Sequence, residues 1–412
     1  MNKNTVVGLF AGVAGFELGL EAAGFSTIAF ADNDSHASAV LAERFPQVPN
    51  LGDVSTLVDL PTVDVITAGF PCQDLSPAGQ LRGIHGGKSG LVDHVFRLLD
   101  KMQARPIWLL FENVPFLLNF DRGSGMHWLT QRLEGLGYTW AYRVVDTQAF
   151  GLPQRRRRLY VLASAVADPR PVLFADNAAA VLAKFDGSQA CGFYWTEGNR
   201  GLGWAVDAIP PLKVASGLGI VASPAVWLPN QYKIVTPLIG DAEVLQGLPR
   251  GWTSPAERMP RGDRARWRLV GNAVSVPVAT WIGERLFKPG EWDLLRSQSL
   301  GDGQPWAKAG WGHKGSRYSV ISCEWPIAAP RRSLSTTVSH TAPELSLRAA
   351  RGFMKRLLNS TLNVEAAFKR DLQRHVQRLE PPPADAVDKA PNASHQRSGQ
   401  PIREGVEVEP LP

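Results

Sequence analysis

Residues 5–16 read Thr5-Val6-Val7-Gly8-Leu9-Phe10-Ala11-Gly12-Val13-Ala14-Gly15-Phe16. Thr5 to Phe10 is a short apolar run of strand character, and Phe16 to Ala23 continues with helical spacing. A strand that enters a helix through glycines brings backbone N–H groups close to a bound ligand. A dinucleotide fingerprint requires glycine where Phe10 stands, so the G-x-G-x-x-G pattern is not met. Asp32 ends the second apolar run, Thr27 to Ala31, twenty residues beyond Gly12. A carboxylate at that point can accept both ribose hydroxyls of an adenosine. Asp53, within Gly52-Asp53-Val54, is placed to accept a hydrogen bond from an adenine amino group.

Outward from this turn, apolar runs of strand length recur at Val63 to Ala68, Ile107 to Phe111 and Leu159 to Ala163. Helical stretches lie between them at Ala37 to Phe45, Val92 to Met102 and Met126 to Leu136. This alternation predicts an α/β fold: a mostly parallel sheet with helices on both faces and its ligands beyond the carboxyl ends of the strands.

Two chemical groups fall at those carboxyl ends. Gly69-Phe70-Pro71-Cys72-Gln73 follows the third run, and Glu112-Asn113-Val114 closes the fourth. Most lone cysteines are small buried hydrophobes. Here a glycine and a proline shape the turn, and a polar, glycine-rich stretch follows through Gly90, a composition suited to a lid. A glutamate ending a buried strand is unusual unless it is paired or functional.

The ordered set Phe10-Ala11-Gly12-x-x-Gly15, Gly69-Phe70-Pro71-Cys72-Gln73, Glu112-Asn113-Val114, Gln154-Arg155-Arg156-Arg157-Arg158 and Gly271-Asn272-Ala273-Val274 resembles the cytosine-C5 DNA methyltransferase family. Any one of these motifs is weak, but the five in order are specific and span roughly residues 5 to 287. The resemblance implies a Rossmann-like, S-adenosylmethionine-dependent methyltransferase fold. It also implies methyl transfer to C5 of a cytosine flipped out of duplex DNA, with S-adenosylhomocysteine as product and no metal. Cys72 would attack C6 as thiolate, Glu112 in its protonated form would bond N3, and Arg156 and Arg158 would be the arginines directed into the site. A nearby positive charge favours the thiolate. The cofactor residues implied are Phe10, Gly12, Gly15, Asp32, Asn33, Asp53, Pro71, Asn272 and Ala273. Gln73, Ser76, Gln154 and Arg155 are implied on the DNA side, Gln154 also ordering the arginines. Ala14 stands where glycine is commoner, and Lys233 where arginine often precedes Thr236-Pro237. Thr236 to Leu248 resembles the family's helical support for the recognition unit.

Composition marks residues 166–232, rich in Pro, Gly and Ala, as a separate small unit. By position the resemblance implies that it is the target-recognition domain and that residues 1–165 form the catalytic and cofactor-binding domain. Residues 233–287 return to complete the catalytic domain, 288–380 form an accessory C-terminal region, and 381–412 a Pro-rich, disordered tail. Trp306, Trp311 and Trp325 are expected to pack as a small accessory subdomain. The recognition segment carries Arg170, Lys184, Arg200 and Lys213 against Asp168, Asp176, Asp186, Glu197 and Asp207, so it is not a phosphate-binding surface. Phosphate contacts are expected from Arg250, Arg258, Arg261, Arg264, Arg266 and Arg268, and from Arg348, Arg351, Lys355, Arg356, Lys369, Arg370 and Arg374.

The bulk properties agree. Hydrophobic residues make up 44% and charged ones 20%, ordinary for a globular protein, and a net charge of +6 mildly favours a polyanionic partner. Three cysteines, Cys72, Cys191 and Cys323, are too few and scattered for a disulfide frame or a zinc site. No apolar run approaches the roughly 18 residues of a membrane span, and the N-terminus lacks a secretory signal. The expectation is a cytoplasmic monomer, nucleoid-associated in a bacterium or phage-encoded in a bacterial host. Double-stranded DNA is its expected partner, and a cognate restriction endonuclease in the same host is a second. Three other readings fit less well. Transfer RNA methylation is opposed by the Phe-Pro-Cys-Gln form and a sizeable recognition segment. A silent DNA-binding regulator is opposed by the complete set Cys72, Glu112 and the arginines, and a nicotinamide dehydrogenase by Phe10.

Overall fold

A computed structural model describes residues 4–70, 90–213, 224–301 and 303–381. In the first half the chain runs β1 (Thr5–Leu9), α1 (Gly15–Ala22), β2 (Ser26–Ala31), α2 (Ser35–Arg44), β3 (Val65–Ala68), α3 (Leu91–Lys101), β4 (Trp108–Asn113), α4 (Ser124–Gly135), β5 (Thr139–Asp146) and β6 (Arg157–Ser164). The chain then forms four short strands, β7 (Cys191–Phe193), β8 (Trp204–Val206), β9 (Ala225–Leu228) and β10 (Lys233–Val235). Then follow α5 (Ile239–Leu245), α6 (Gly262–Asn272), α7 (Val276–Phe287), β11 (Ser297–Ser299), β12 (Ala309–His313), β13 (Ser316–Val320), α8 (Leu347–Leu358) and α9 (Ala366–Leu379).

The expected parallel sheet is the block β2-β1-β3-β4, in which every neighbouring pair is parallel. Its strands read as unbroken apolar runs because both faces are covered. Alternate residues Val7, Leu9, Ile66, Ala68, Leu109 and Phe111 pack under Val95, Phe96 and Leu99 of α3 and Leu129 and Leu133 of α4. The other alternation, Val6, Val65 and Leu110, packs under Phe16 and Leu20 of α1 and Val278 and Ile282 of α7. By the same period of two, Gly8, Thr67 and Glu112 face the α1 and α7 side. Beyond β4 the sheet continues antiparallel through β6, β5, β12, β13 and β11 to nine strands. The fold is thus α/β, with its parallel block carrying the strand ends that matter.

The 288–380 region differs from the single accessory unit expected of it. Its strands β12, β13 and β11 extend the main sheet from the edge of β5. An open edge of a central strand is a liability, and these strands cover it. Trp306 joins the core beside Trp140 and Tyr142, and Trp311 and Trp325 join the opposite cluster, so they form no subdomain of their own. The helices α8 and α9 instead pack on the four-stranded sheet β10-β9-β7-β8. Phe353 and Phe368 meet Phe193 there, with Trp204 and Trp227 also against Phe368, and Trp227 Nε1 donates to Asp371 at 3.0 Å. Three-residue strands cannot bury a face alone; the two helices complete their core.

Candidate active site

The carboxyl ends of β1 to β4 open into a cleft of about 650 Å³, lined by the loop after β1, by Asp32, Asn33 and Asp34, by Gly69 and Phe70, by Glu112 to Val114, by Arg156, Arg158 and Arg268, and by Leu269 and Gly271 to Val274. A second hollow, of about 740 Å³, lies along the outer side of α7 between Phe150, Trp281 and Ile327, away from those strand ends. The chemistry-bearing groups gather in the first.

The floor is set by backbone geometry. Phe10 and Ala14 adopt left-handed φ values of 53° and 62°, turning the chain over the strand end. Gly15 is required by contact: a Cβ there would lie 2.6 Å from the Val274 carbonyl oxygen. The return segment therefore seats directly on the first turn, bringing Asn272 and Ala273 to the cleft beside Phe10 and Gly12.

Asp32 is more engaged than its expected role suggests. Its Oδ2 accepts from Gly12 N–H and its Oδ1 from Asp34 N–H, each at 2.8 Å. Burial nonetheless raises its carboxyl above the ordinary range. Each oxygen keeps a lone pair for a hydroxyl. Asn50, which nothing in the sequence marked, clamps this strand end: its Oδ1 accepts from Asp32 N–H and its Nδ2 donates to Asp32 O, both at 3.0 Å. At the rim Asn33 Nδ2 donates to Asp53 Oδ2 at 2.9 Å, and the Ser55 N–H and Asn33 bonds hold Asp53 below the usual carboxylate range. Arg268 spans the mouth from α6 to an ion pair with Asp34.

Glu112 ends β4, almost wholly buried. Burial is the main cause that raises its carboxyl; the nearby Arg158 and Arg156 guanidinium groups oppose that shift. Arg158 Nε lies 2.9 Å from Glu112 Oε1, and Arg158 also donates to the Arg157 carbonyl. Arg156, expected like Arg158 to be directed into the site, also lines the cleft. Fully buried, it donates to the carbonyls of Gly271 and Ala273 at 3.1 and 2.9 Å, and burial lowers it to about 9. It ties the arginine run to the return segment while lining the cleft. Arg157 points away, to Glu324 at 2.6 Å.

Gln154 is a correction. It has no exposed surface; Nε2 donates to Leu245 O and Gln246 Oε1, and Oε1 accepts from Leu212 N–H. All its polar capacity is spent inside the protein, so it joins the recognition segment to α5 and has no side chain left for DNA. Arg155 beside it is exposed.

Pro71, Cys72, Gln73 and Ser76, and the lid-like stretch before Gly90, lie outside the described residues. The approach to Cys72 is described up to Phe70, whose carbonyl accepts from Asn113 Nδ2 at 3.0 Å. The chain thus reaches residue 70 pinned to the residue after Glu112.

Among the expected phosphate contacts, one needs correcting. Arg266 is buried between Glu243 and Glu257 and cannot reach a phosphate. Arg250 pairs with Asp241, Arg258 with Glu43, Arg351 with Glu380 and Arg374 with Asp371, while Arg356 donates to the carbonyls of Glu197 and Trp195. Runs of arginine in a sequence do not disclose the acid each will meet.

Comparison with known proteins fits this geometry. Residues 4–173 match the model of the C-5 cytosine-specific DNA methylase family. The chain is 43% identical to the type II methyltransferase M2.BsuMI of Bacillus subtilis (strain 168) over 90% of its own length and 97% of that protein's. It is 36% identical to M.BsuFI of Bacillus subtilis over 39% of each chain. Among solved structures, S. pombe Dnmt2 methyltransferase superposes with a TM-score of 0.53 over 69% of this chain and 99% of that one, at 14% identity, a likeness of fold.

Proposed function

We infer, because this chain belongs to the C-5 cytosine-specific DNA methylase family, that it methylates C5 of a cytosine extruded from a specific duplex DNA sequence, through a covalent bond from Cys72 to C6. The observation that carries this reading is the meeting of Glu112, Arg158 and the anchored approach to Cys72 at one edge of a cleft whose other edge holds Asp32.

The cleft fits S-adenosylmethionine: a buried carboxylate oxygen of Glu17 lacks a partner there among the described residues, and Asp32 retains lone pairs for ribose hydroxyls. Asp32, Asn33 and Asp53 would hold the adenosine, and Phe10, Gly12, Gly15, Asn272 and Ala273 would enclose it. When bound, this cofactor supplies an electrophilic methyl group.

Cytosine C5 becomes nucleophilic only after addition across the ring. The Cys72 thiolate adds at C6, and Glu112, whose carboxyl is raised above the usual range by burial, donates to N3 in its protonated form and neutralises the charge that develops. The Arg158 guanidinium, 2.9 Å from its Oε1, orients that carboxyl. After methylation the C5 proton leaves and Cys72 is eliminated, restoring the ring. The target atom is stacked within a duplex, so the base must leave the helix. We assign sequence reading to the β7–β10 sheet with its α8 and α9 backing, Arg155 serving on the DNA side. Similarity to type II methyltransferases supports a partner endonuclease recognising the same site. No described helix is long and apolar enough to cross a membrane.

Bisulfite sequencing of DNA from a host expressing the chain tests the reading: a recurring sequence with protected cytosine is expected. Uniform conversion, or methyl transfer to transfer RNA in place of duplex DNA, would overturn it.

A further inference from the structure

One buried ionisable group in the cleft has no part in the chemistry above. Glu17, on the first turn of α1, is 1% exposed, and its Oε1 accepts from Thr67 Oγ1 at 2.5 Å. Its Oε2 is buried with no hydrogen-bond partner among the described residues, and Glu17 is part of the cleft lining. The space it fills exists because residue 8 is glycine: a Cβ at Gly8 would collide with Glu17 Oε1. An orphaned buried carboxylate oxygen of this kind is costly unless a ligand satisfies it.

The shape of the cofactor says which of its groups would do so. Three arms leave its sulfur. Under the assignment above, the adenosyl arm would lie at the Asp32 edge and the methyl at the Glu112 edge. The third arm ends in an ammonium and a carboxylate, and the floor left to it lies between those edges, at the end of β1 and the start of α1. The α1 N-terminus lacks a side-chain cap, which suits the carboxylate, and Glu17 offers the opposite charge. Resting on the cofactor assignment above, we propose that Glu17 seats the α-ammonium of that amino-acid arm, as a cofactor-binding residue. Burial, aided by Glu21 and Asp32 and opposed by Thr67, raises the carboxyl to about 7, so an arriving cation can draw off its proton near neutrality.

The test is calorimetric binding of S-adenosylhomocysteine, and of its analogue with hydrogen in place of the α-amino group, to the full chain and to Glu17→Gln. For the unaltered chain the analogue is expected to bind about 10- to 100-fold more weakly. In Glu17→Gln that ratio falls to within about threefold, the size expected once the charged partner is gone. Thr67→Val, which frees Oε1, reduces the ratio part of the way and serves as the reading should the glutamine chain not fold. Equal binding of both ligands by the unaltered chain, or an unchanged ratio in the variants, overturns the proposal while leaving the cofactor assignment intact. Failure of the unaltered chain to bind S-adenosylhomocysteine at all overturns both.

Discussion

Residue by residue, the site is governed by burial of charge. Burial raises the Glu112 carboxyl above the usual range, against the opposing pull of Arg158 and Arg156, and that direction favours its proposed use as an acid. Glu112→Gln keeps a hydrogen-bond donor but cannot shed a proton, and is expected to slow single-turnover methyl transfer by roughly 10²–10³-fold while duplex affinity changes little. Unchanged turnover would remove Glu112 from the mechanism. Glu17 gives a pH signature. Its carboxyl is raised from 4.5 to about 7 in the folded chain, so the folded state holds the proton more tightly than the unfolded one. The favourable contribution is complete below the unfolded value and is lost as pH rises through about 7, a change of about 3 kcal/mol. Urea midpoints of the cofactor-free chain should fall between pH 5 and pH 8, and Glu17→Gln should flatten that fall; parallel profiles would count against it. Glu112, Asp32 and the glycine turn were legible in the sequence because each ends or follows an apolar run. Glu17 was not, since it occupies an ordinary helical position and only Gly8 beneath it, four residues before Gly12, makes room.

Among the elements, the parallel block was readable because apolar runs of strand length alternate with helical spacing. β5 (Thr139–Asp146) escaped notice because Arg143 breaks its apolar character. In the fold that arginine is buried, donating to the carbonyls of Leu173, Asp176 and Cys323. The basic stretch from Ser346 to Leu379 forms two helices, with a break between Leu358 and Ala366. Their apolar faces close the core of the four-stranded sheet. Phe368 has no exposed surface and touches four aromatic rings. Its replacement by alanine should cost about 3–5 kcal/mol locally. Duplex binding is then expected to weaken sharply while S-adenosylhomocysteine binding persists, as judged by the two affinities measured side by side. Equal loss of both would show that the two sheets do not behave as separate cores.

Across the whole molecule, the order of motifs along the chain told more than charge did. The motifs that meet at the cleft come from β1, β3, β4, β6 and the return segment, and the linear sequence already placed them at strand ends. Charge clustering could not tell Arg266, buried against Glu243, from Arg250 and Arg258, which meet Asp241 and Glu43 and stay exposed. Arg266→Ala leaves Glu243 buried and unpaired, so it should destabilise the chain by about 3–5 kcal/mol. Removing Arg266 should leave the slope of duplex affinity against salt unaltered; a slope lowered by about one charge would restore it as a phosphate contact.

The most direct measurement of the central claim is trapping with duplex DNA that carries 5-fluorocytosine, in the presence of S-adenosylmethionine, followed by mass spectrometry of the joined peptide. Fluorine at C5 blocks elimination, so a denaturation-resistant adduct should form at Cys72 and be absent from Cys72→Ser. An adduct on another residue, or normal methyl transfer by the serine chain, would contradict the account.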